Sequence, residues 1–419
     1  MVAADLVSPN EDLDENNVFC VDKDLKLLKS GAIYGANASG KSNFVKALRF
    51  MKWFMVNSSK ETQSTEKIKI EPFRLSTETE NKPSFFEIVF LLDKQRYRYG
   101  FEVNRERVAS EWLFYVPNKR ETKLFERRFD EFKISKKYGA RGIQERTRDN
   151  ALFLSVAAQF NVEIATKILS WITEKLKIIS ELGESELYQL KLKIFDDFQN
   201  QGKWKAILDL IRNLDLGIED VVTDNFPIAI REDGSITLDI GESKISNNGV
   251  IHHYGDHGKI IQTQHRKFDG EGNHVDDEIF SLENNESQGT QKVFALAGIL
   301  IDTVKNSQVL VIDELDARLH PLISLTIIGL FNSSYLNPHN AQLVFTTHDT
   351  NLLDKDLFRR DQIWFTEKDR YGATDLYSLV EYEDSRNSEN ISYENDYING
   401  RYGAIPFLGN SNILFEIDG

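Results

Sequence analysis

The run Gly35-Ala36-Asn37-Ala38-Ser39-Gly40-Lys41-Ser42 has the residue types and spacing of a phosphate-binding loop, G-x-x-x-x-G-K-[ST]. Its glycines let backbone N–H groups close around phosphate oxygens. Lys41 can offset charge on the β- and γ-phosphates, and the Ser42 hydroxyl can ligate Mg²⁺. The competing reading is a glycine turn of purely structural use. The flanks decide between them: an apolar run, Leu25 to Tyr34, precedes the loop, and Phe44, Val45, Leu48, Met51 and Met55 follow at helical spacing. Strand, loop and helix in that order are the context the phosphate motif requires.

A second constellation ends the apolar run Val309-Leu310-Val311-Ile312 with Asp313 and Glu314. The first acid can hold a metal-bound water, and the second can orient and deprotonate a water attacking a γ-phosphate. Many buried strands end in acids, so this pattern gains its force from the loop. Ser287-Gln288-Gly289-Thr290-Gln291 opens a further helical stretch, and a serine with a glycine backbone at a helix N-terminus can bind a phosphate. Leu343-Val344-Phe345-Thr346-Thr347-His348 is a strand closing on a histidine, a residue that by itself is more often structural.

Taken together, Tyr34 to Asn43, Glu286 to Lys292, Asp313 to Pro321 and the tail Tyr397-Ile398-Asn399-Gly400-Arg401-Tyr402-Gly403-Ala404-Ile405-Pro406 resemble the ABC-like AAA-family ATPases of bacterial abortive-infection operons. The tail resembles more narrowly the OLD-like subunits encoded beside a nuclease of RloB or Toprim type. The resemblance implies ATP and Mg²⁺ as cofactors, with Gly35 to Ser42, Asn43, Ser287, Gly289 and Asp316 on the nucleotide, and Ser42 and Asp313 on the metal. It implies Glu314 and His348 as catalytic residues, the latter as a switch histidine. In this superfamily the signature serine meets the nucleotide of the opposite subunit, so two composite sites are expected when two copies join head to tail. A separately encoded effector nuclease is the expected partner, with a nucleic acid or phage protein as a further candidate, and the implied role is an ATP-hydrolysing antiphage sensor. Such proteins usually begin with a strand and an N-F-R-S-like segment, and the chain is expected to start beyond it. They also carry a glutamine between lobes; Ile70 to Leu75 has none, and no residue is assigned to that place.

The elements that must position these residues are legible in outline. At 419 residues, 41% hydrophobic and 28% charged, the chain is long enough for one large domain with an insertion or for two domains, and it is not of disordered composition. The expected fold class is α/β: an ABC-type P-loop NTPase head with an antiparallel β subdomain and a helical insertion. The head is expected to occupy 1–150 and 221–419, with the insertion at 151–220. Phe85 to Leu92 and Arg96 to Val103 read as a hairpin. Ile164, Ile168, Ile172, Leu176 and Ile179 form one helical stripe, and Ile207, Ile211 and Leu214 another. Ile228 to Ile240 reads as strand with a turn at Gly234-Ser235, and the stretch from Gln288 to Phe365 alternates helix and buried strand as parallel α/β structure does.

Composition also limits partners. A net charge of −15 repels nucleic acid overall, so DNA contact would need a local basic face, and Lys119 to Arg148 is the candidate. The plainer reading of that stretch is a solvated, charged hairpin and helix. It supports the alternative function, a DNA repair or chromosome-maintenance ATPase that clamps DNA. No apolar run reaches the ~20 residues needed to span a bilayer, the N-terminus lacks a secretion signal, and no membrane partner is expected; a cytoplasmic location follows. Cys20 stands alone, and the group His252, His253, His257, His265 and His274 lacks metal-ligand spacing.

Overall fold

The computed structural model describes residues 1–3, 11–61, 63–117, 120–180, 187, 190, 191, 193, 194, 201–214, 216–230, 236–238, 252–254, 257–382 and 391–406. The chain forms two compact units, Met1–Ser180 with Asn306–Leu315 and Ile328–Gly419, and Glu181–Lys305 with Asp316–Ile327. The boundary between the units falls at Ser180, inside the 151–220 stretch, and 221–419 contributes residues to both units.

In the first unit, α1 (Glu11–Asn17) leads into a two-stranded ribbon of β1 (Val18–Cys20) and β2 (Lys26–Leu28). Next come β3 (Ser30–Tyr34) and α2 (Lys41–Asn57). Five antiparallel strands follow in simple order, β4 (Ser84–Leu92), β5 (Gln95–Val103), β6 (Val108–Val116), β7 (Thr122–Arg128) and β8 (Glu131–Ile134). The β4–β5 connection is a two-residue turn with Asp93 and Lys94 at φ 52° and 61°, both left-handed as a type I′ hairpin turn demands. Helix α2 lays its aromatic face on this sheet: Phe50 meets Phe86 at 5.2 Å and Phe54 meets Phe101 at 5.5 Å between ring centroids. Phe54 is fully buried, so truncating it to alanine should cost about 3–5 kcal/mol.

Helices α3 (Phe153–Gln159) and α4 (Glu163–Glu174) pack on the same core. The N-terminus of α3 rests on a buried carboxylate from β6. Glu111 accepts hydrogen bonds from the backbone N–H groups of Phe153 (2.6 Å) and Leu154 (2.9 Å) and from the Tyr99 hydroxyl (2.9 Å). Buried Arg127 lies 4.0 Å away. Burial pushes the Glu111 carboxyl above its ordinary range, against the opposing pull of Arg127 and these donors.

Leu176 and Ile179, read as the end of the α4 stripe, lie instead in a strand, β9 (Leu176–Ile179). A buried strand offers no polar alternation to distinguish it from a continuing helix face. What makes it a strand is β15 (Val309–Ile312), which pairs with it in parallel. The central sheet has the order β18-β17-β3-β16-β15-β9, where β16 is Gln342–Thr346, β17 is Ile363–Lys368 and β18 is Thr374–Ser378. All neighbours are parallel except β17 and β18. This is the α/β P-loop NTPase head with its antiparallel β subdomain.

The second unit contains α5 (Gln201–Asn213), antiparallel strands β10 (Asp220–Ile230), β11 (Ile236–Leu238), β12 (His252–Tyr254), β13 (His257–Phe268) and β14 (His274–Ser281), and α6 (Gln288–Lys305). Ile207 and Ile211 of α5 share a core with Val221, Ile261, Phe294 and Ala297. The turn expected at Gly234-Ser235 lies outside the described residues, although β10 and β11 do pair antiparallel on either side of it. Helix α7 (Pro321–Asn332) begins in this unit and continues into the first.

Candidate functional site

Parallel pairing brings the ends of three strands to one edge of the central sheet. Ile312 pairs with Phe345, and Thr346 with Ile33. The chain therefore leaves β3 into Gly35, β16 toward His348 and β15 into Asp313 along the same edge, where open α/β sheets bind their ligands.

The loop itself has a specific cradle. Gly35 (φ 152°) and Gly40 (φ 116°) both sit at positive φ, and a Cβ at Gly35 would lie 2.5 Å from Thr366 Oγ1 and 2.6 Å from Ser39 Oγ. At Gly40 a Cβ would collide with Thr374. Only glycine meets both conditions. The two threonines come from the next strands of the sheet: Thr366 Oγ1 donates to the Tyr34 carbonyl (3.2 Å) and lies 2.7 Å from Ser39 Oγ, while Thr374 Oγ1 donates to the Ser39 carbonyl (2.8 Å). Sequence reasoning missed both, since neither belongs to a motif. Helix α2 begins at Lys41, so Ser42 and Asn43 occupy its first turn, where the positive end of the helix dipole favours an anion, although the Asn43 N–H already donates to the Gly40 carbonyl at 3.0 Å. The buried Lys41 ammonium donates to the carbonyls of Gly35 (2.7 Å) and Ala36 (3.1 Å) and lies 3.5 Å from His348 Nδ1.

Asp313 is buried and accepts a 2.6 Å hydrogen bond from the Thr346 hydroxyl, which in turn accepts from the Glu314 N–H at 2.7 Å. Glu314 itself is exposed and held at φ 51°, a left-handed conformation unusual for a residue with a side chain. Thr346 thus fixes both acids at once, another role without a sequence signal of its own. The arrangement can keep one carboxylate for a metal-bound water and present the other to solvent as a base. Gly35 to Ser39, His348, Thr350, Thr366 to Lys368 and the tail residues Tyr397, Ile398, Ala404, Ile405 and Pro406 border a cavity of about 780 Å³. The residues expected to hold Mg-ATP have suitable chemistry: backbone donors at a helix start, a buried ammonium and a buried carboxylate.

Ser287, Gly289 and Asp316 belong to the second unit. Ser287 Oγ accepts from the Thr290 N–H at 3.1 Å, which caps the start of α6. Gly289 packs against the segment after the acids: a Cβ there would stand 2.7 Å from the Arg318 carbonyl. Lys292 Nζ donates to the Ala317 carbonyl (2.8 Å). The signature turn and the stretch beginning at Asp316 are thus one piece of structure.

Of the basic stretch, Lys119 lies outside the described residues. Arg127 is buried, Lys123 pairs with Glu126 at 2.5 Å, and Lys137 donates to the Tyr115 hydroxyl at 2.8 Å. These cations are engaged within the fold. His265 lies 2.7 Å from Glu286, and His274 lies 2.8 Å from Asp277. Among the described residues no three His, Cys, Asp or Glu side chains converge as a metal group, and no helix is long and apolar enough to cross a membrane.

Residues 32–354 match the family model described as "AAA domain, putative AbiEii toxin, Type IV TA system". Among solved structures, the chain is similar to an SMC head bound to the C-winged-helix domain of ScpA (15% identity, 84% of this chain and 91% of that one, TM-score 0.43). It is also similar to an SMC head domain from Thermotoga maritima (13%, 84% and 92%, TM-score 0.36). A third is the Smc head with extended coiled coil bound to the C-terminal domain of ScpA, derived from Pyrococcus furiosus (12%, 90% and 94%, TM-score 0.33). No curated protein matches the chain.

Proposed function

The chain belongs to the family of AAA domains of the AbiEii toxin type, and from that premise we propose that it is the ATP-binding and ATP-hydrolysing switch subunit of a bacterial abortive-infection system. Two copies would close head to tail in the cytoplasm around composite ATP sites and so control a separate effector nuclease. The observation that carries the ATPase reading is the convergence at one sheet edge of Lys41, 3.5 Å from His348, with the Asp313–Glu314 pair fixed by Thr346.

In this reading the loop amides and Lys41 bind the triphosphate. Ser42 and Asp313 hold Mg²⁺, which supplies charge neutralisation on the phosphate oxygens. Glu314 takes the proton from the attacking water, and His348 orients the γ-phosphate end. Ser287 and Gly289 of one copy serve the nucleotide of the other. The antiphage part of the reading is supported by the family description and by the tail resemblance.

Glu314→Gln tests the chemistry, because the amide keeps the shape and loses the base. The variant is expected to bind Mg-ATP with wild-type affinity, to lose turnover by at least about a hundredfold, and to accumulate as a closed dimer on size-exclusion chromatography with light scattering. Wild-type turnover would remove Glu314 from its role. Co-purification with the product of the neighbouring gene tests the switch: a nuclease whose activity follows the nucleotide state supports it. A closed dimer that retains DNA and regulates no nuclease would favour the DNA-clamping alternative.

A further inference from the structure

The tail was singled out only by resemblance, yet it forms one wall of the cavity at the loop. Tyr397, Ile398, Ala404, Ile405 and Pro406 face Gly35 to Ser39 across about 780 Å³, a volume in the range of sites that hold whole nucleotide-sized ligands. The two walls differ in chemistry. The loop offers backbone N–H groups suited to phosphate, whereas Ile398, Ile405 and Pro406 offer apolar surface that no phosphate would use. Ile398 is 56% exposed at the end of helix α8 (Tyr393–Ile398), a large apolar side chain open to the cavity.

The wall is also held firmly. The Tyr397 hydroxyl donates to the Ala404 carbonyl at 3.0 Å, and the Tyr377 and Tyr382 hydroxyls both donate to the Tyr402 carbonyl at 2.8 Å. The rings of Tyr397 and Tyr402 stack on Phe365 at 5.4 and 5.6 Å, and Tyr34, the residue before the loop, lies 6.1 Å from Tyr397. Thr350, just past His348, donates to Glu394 of α8 at 3.1 Å. A surface pinned in this way to the phosphate loop and to the histidine segment is preorganised, so a ligand lying on it loses little in ordering it.

We infer that the C-terminal turn is the nucleoside wall of the site: the flat heteroaromatic base of a nucleotide lies against Ile398, Ile405 and Pro406 while its phosphates occupy the loop. This rests on the nucleotide reading of the loop. Glu367 and Lys368, which border the same cavity, supply polar atoms for the edge of the base or the ribose hydroxyls.

Calorimetry on the full chain separates the two claims, with Mg-ATP and inorganic tripolyphosphate as probes. Wild type is expected to bind ATP more tightly than tripolyphosphate. Ile398→Ser, a neutral change at an exposed position, is expected to weaken ATP about tenfold and leave tripolyphosphate unchanged. Ile398→Trp, which adds a stacking face, is expected to tighten ATP several-fold. Equal affinity of wild type for both ligands overturns the wall but leaves the phosphate loop intact. So does an Ile398→Ser variant that binds ATP as wild type does, or that loses both ligands equally. Wild type binding neither ligand overturns the loop reading along with it.

Discussion

Thr346→Val removes a single hydroxyl from beneath the two acids. Thr346 is fully buried, its Oγ1 is 2.6 Å from Asp313 Oδ1 and 2.7 Å from the Glu314 nitrogen, and valine fills nearly the same volume. Asp313 would lose a hydrogen bond to a charged group, about 1.5–3 kcal/mol, and the Glu314 N–H would lose its acceptor, about 1 kcal/mol more. The expected destabilisation is therefore about 2.5–4 kcal/mol. It should appear as a lower urea midpoint for the first unit and as faster amide exchange in the peptide covering Val309 to Leu315. Activity should fall as well, because that same bond ties Glu314 into its φ 51° conformation; each 1.4 kcal/mol of lost transition-state stabilisation is about tenfold in kcat. Thr346→Ser keeps the hydroxyl and should retain most of the exchange protection and turnover. If valine protects the Glu314 amide as well as threonine does, or if serine is no better than valine, the shared-hydroxyl account is wrong.

Lys41→Ala should abolish measurable Mg-ATP binding by calorimetry while the circular dichroism spectrum persists, and unchanged affinity would count against the phosphate loop. Ser287→Arg and Lys41→Ala should each be inactive, yet mixing them should restore up to about a quarter of wild-type turnover once subunit exchange is confirmed by differential tagging. Heterodimers as inactive as either parent would end the composite-site model. Glu111→Ala should cost about 3–5 kcal/mol in urea unfolding, because it orphans the start of α3 and leaves Arg127 without its buried counter-charge; a loss below about 1 kcal/mol would show the cap to be dispensable. Burial raises the folded carboxyl of Glu111 above its ordinary 4.5, so as pH climbs past that value the unfolded chain releases its proton first. The stability of wild type relative to Glu111→Gln should accordingly fall with rising pH until the folded carboxyl titrates, and a difference that grows with pH would contradict the burial argument.

The sequence by itself determined what local chemistry can encode. Gly35 to Ser42 can close only as a strand–loop–helix turn, because its glycines permit positive φ and the flanking apolar spacing changes from strand to helix around it. The β4–β5 hairpin, α6 and β15 were legible for the same reason: each is a contiguous run whose period matches one kind of element. Tertiary structure decided the rest. Whether Leu176 to Ile179 continues α4 or joins the sheet depends on β15, more than a hundred residues along the chain, and no local pattern records that partner. Thr366 and Thr374 become props of the phosphate loop only because β17 and then β18 follow β3 in the sheet, and Thr346 becomes the clamp of the two acids only because β15 and β16 pair in parallel. A threonine hydroxyl carries no signature in sequence; its role comes from the backbone and side-chain groups that the sheet brings within 3 Å of it. The tail's place at the loop likewise rests on aromatic contacts among Tyr34, Phe365, Tyr397 and Tyr402, residues whose separation in sequence hides a cluster that burial makes continuous.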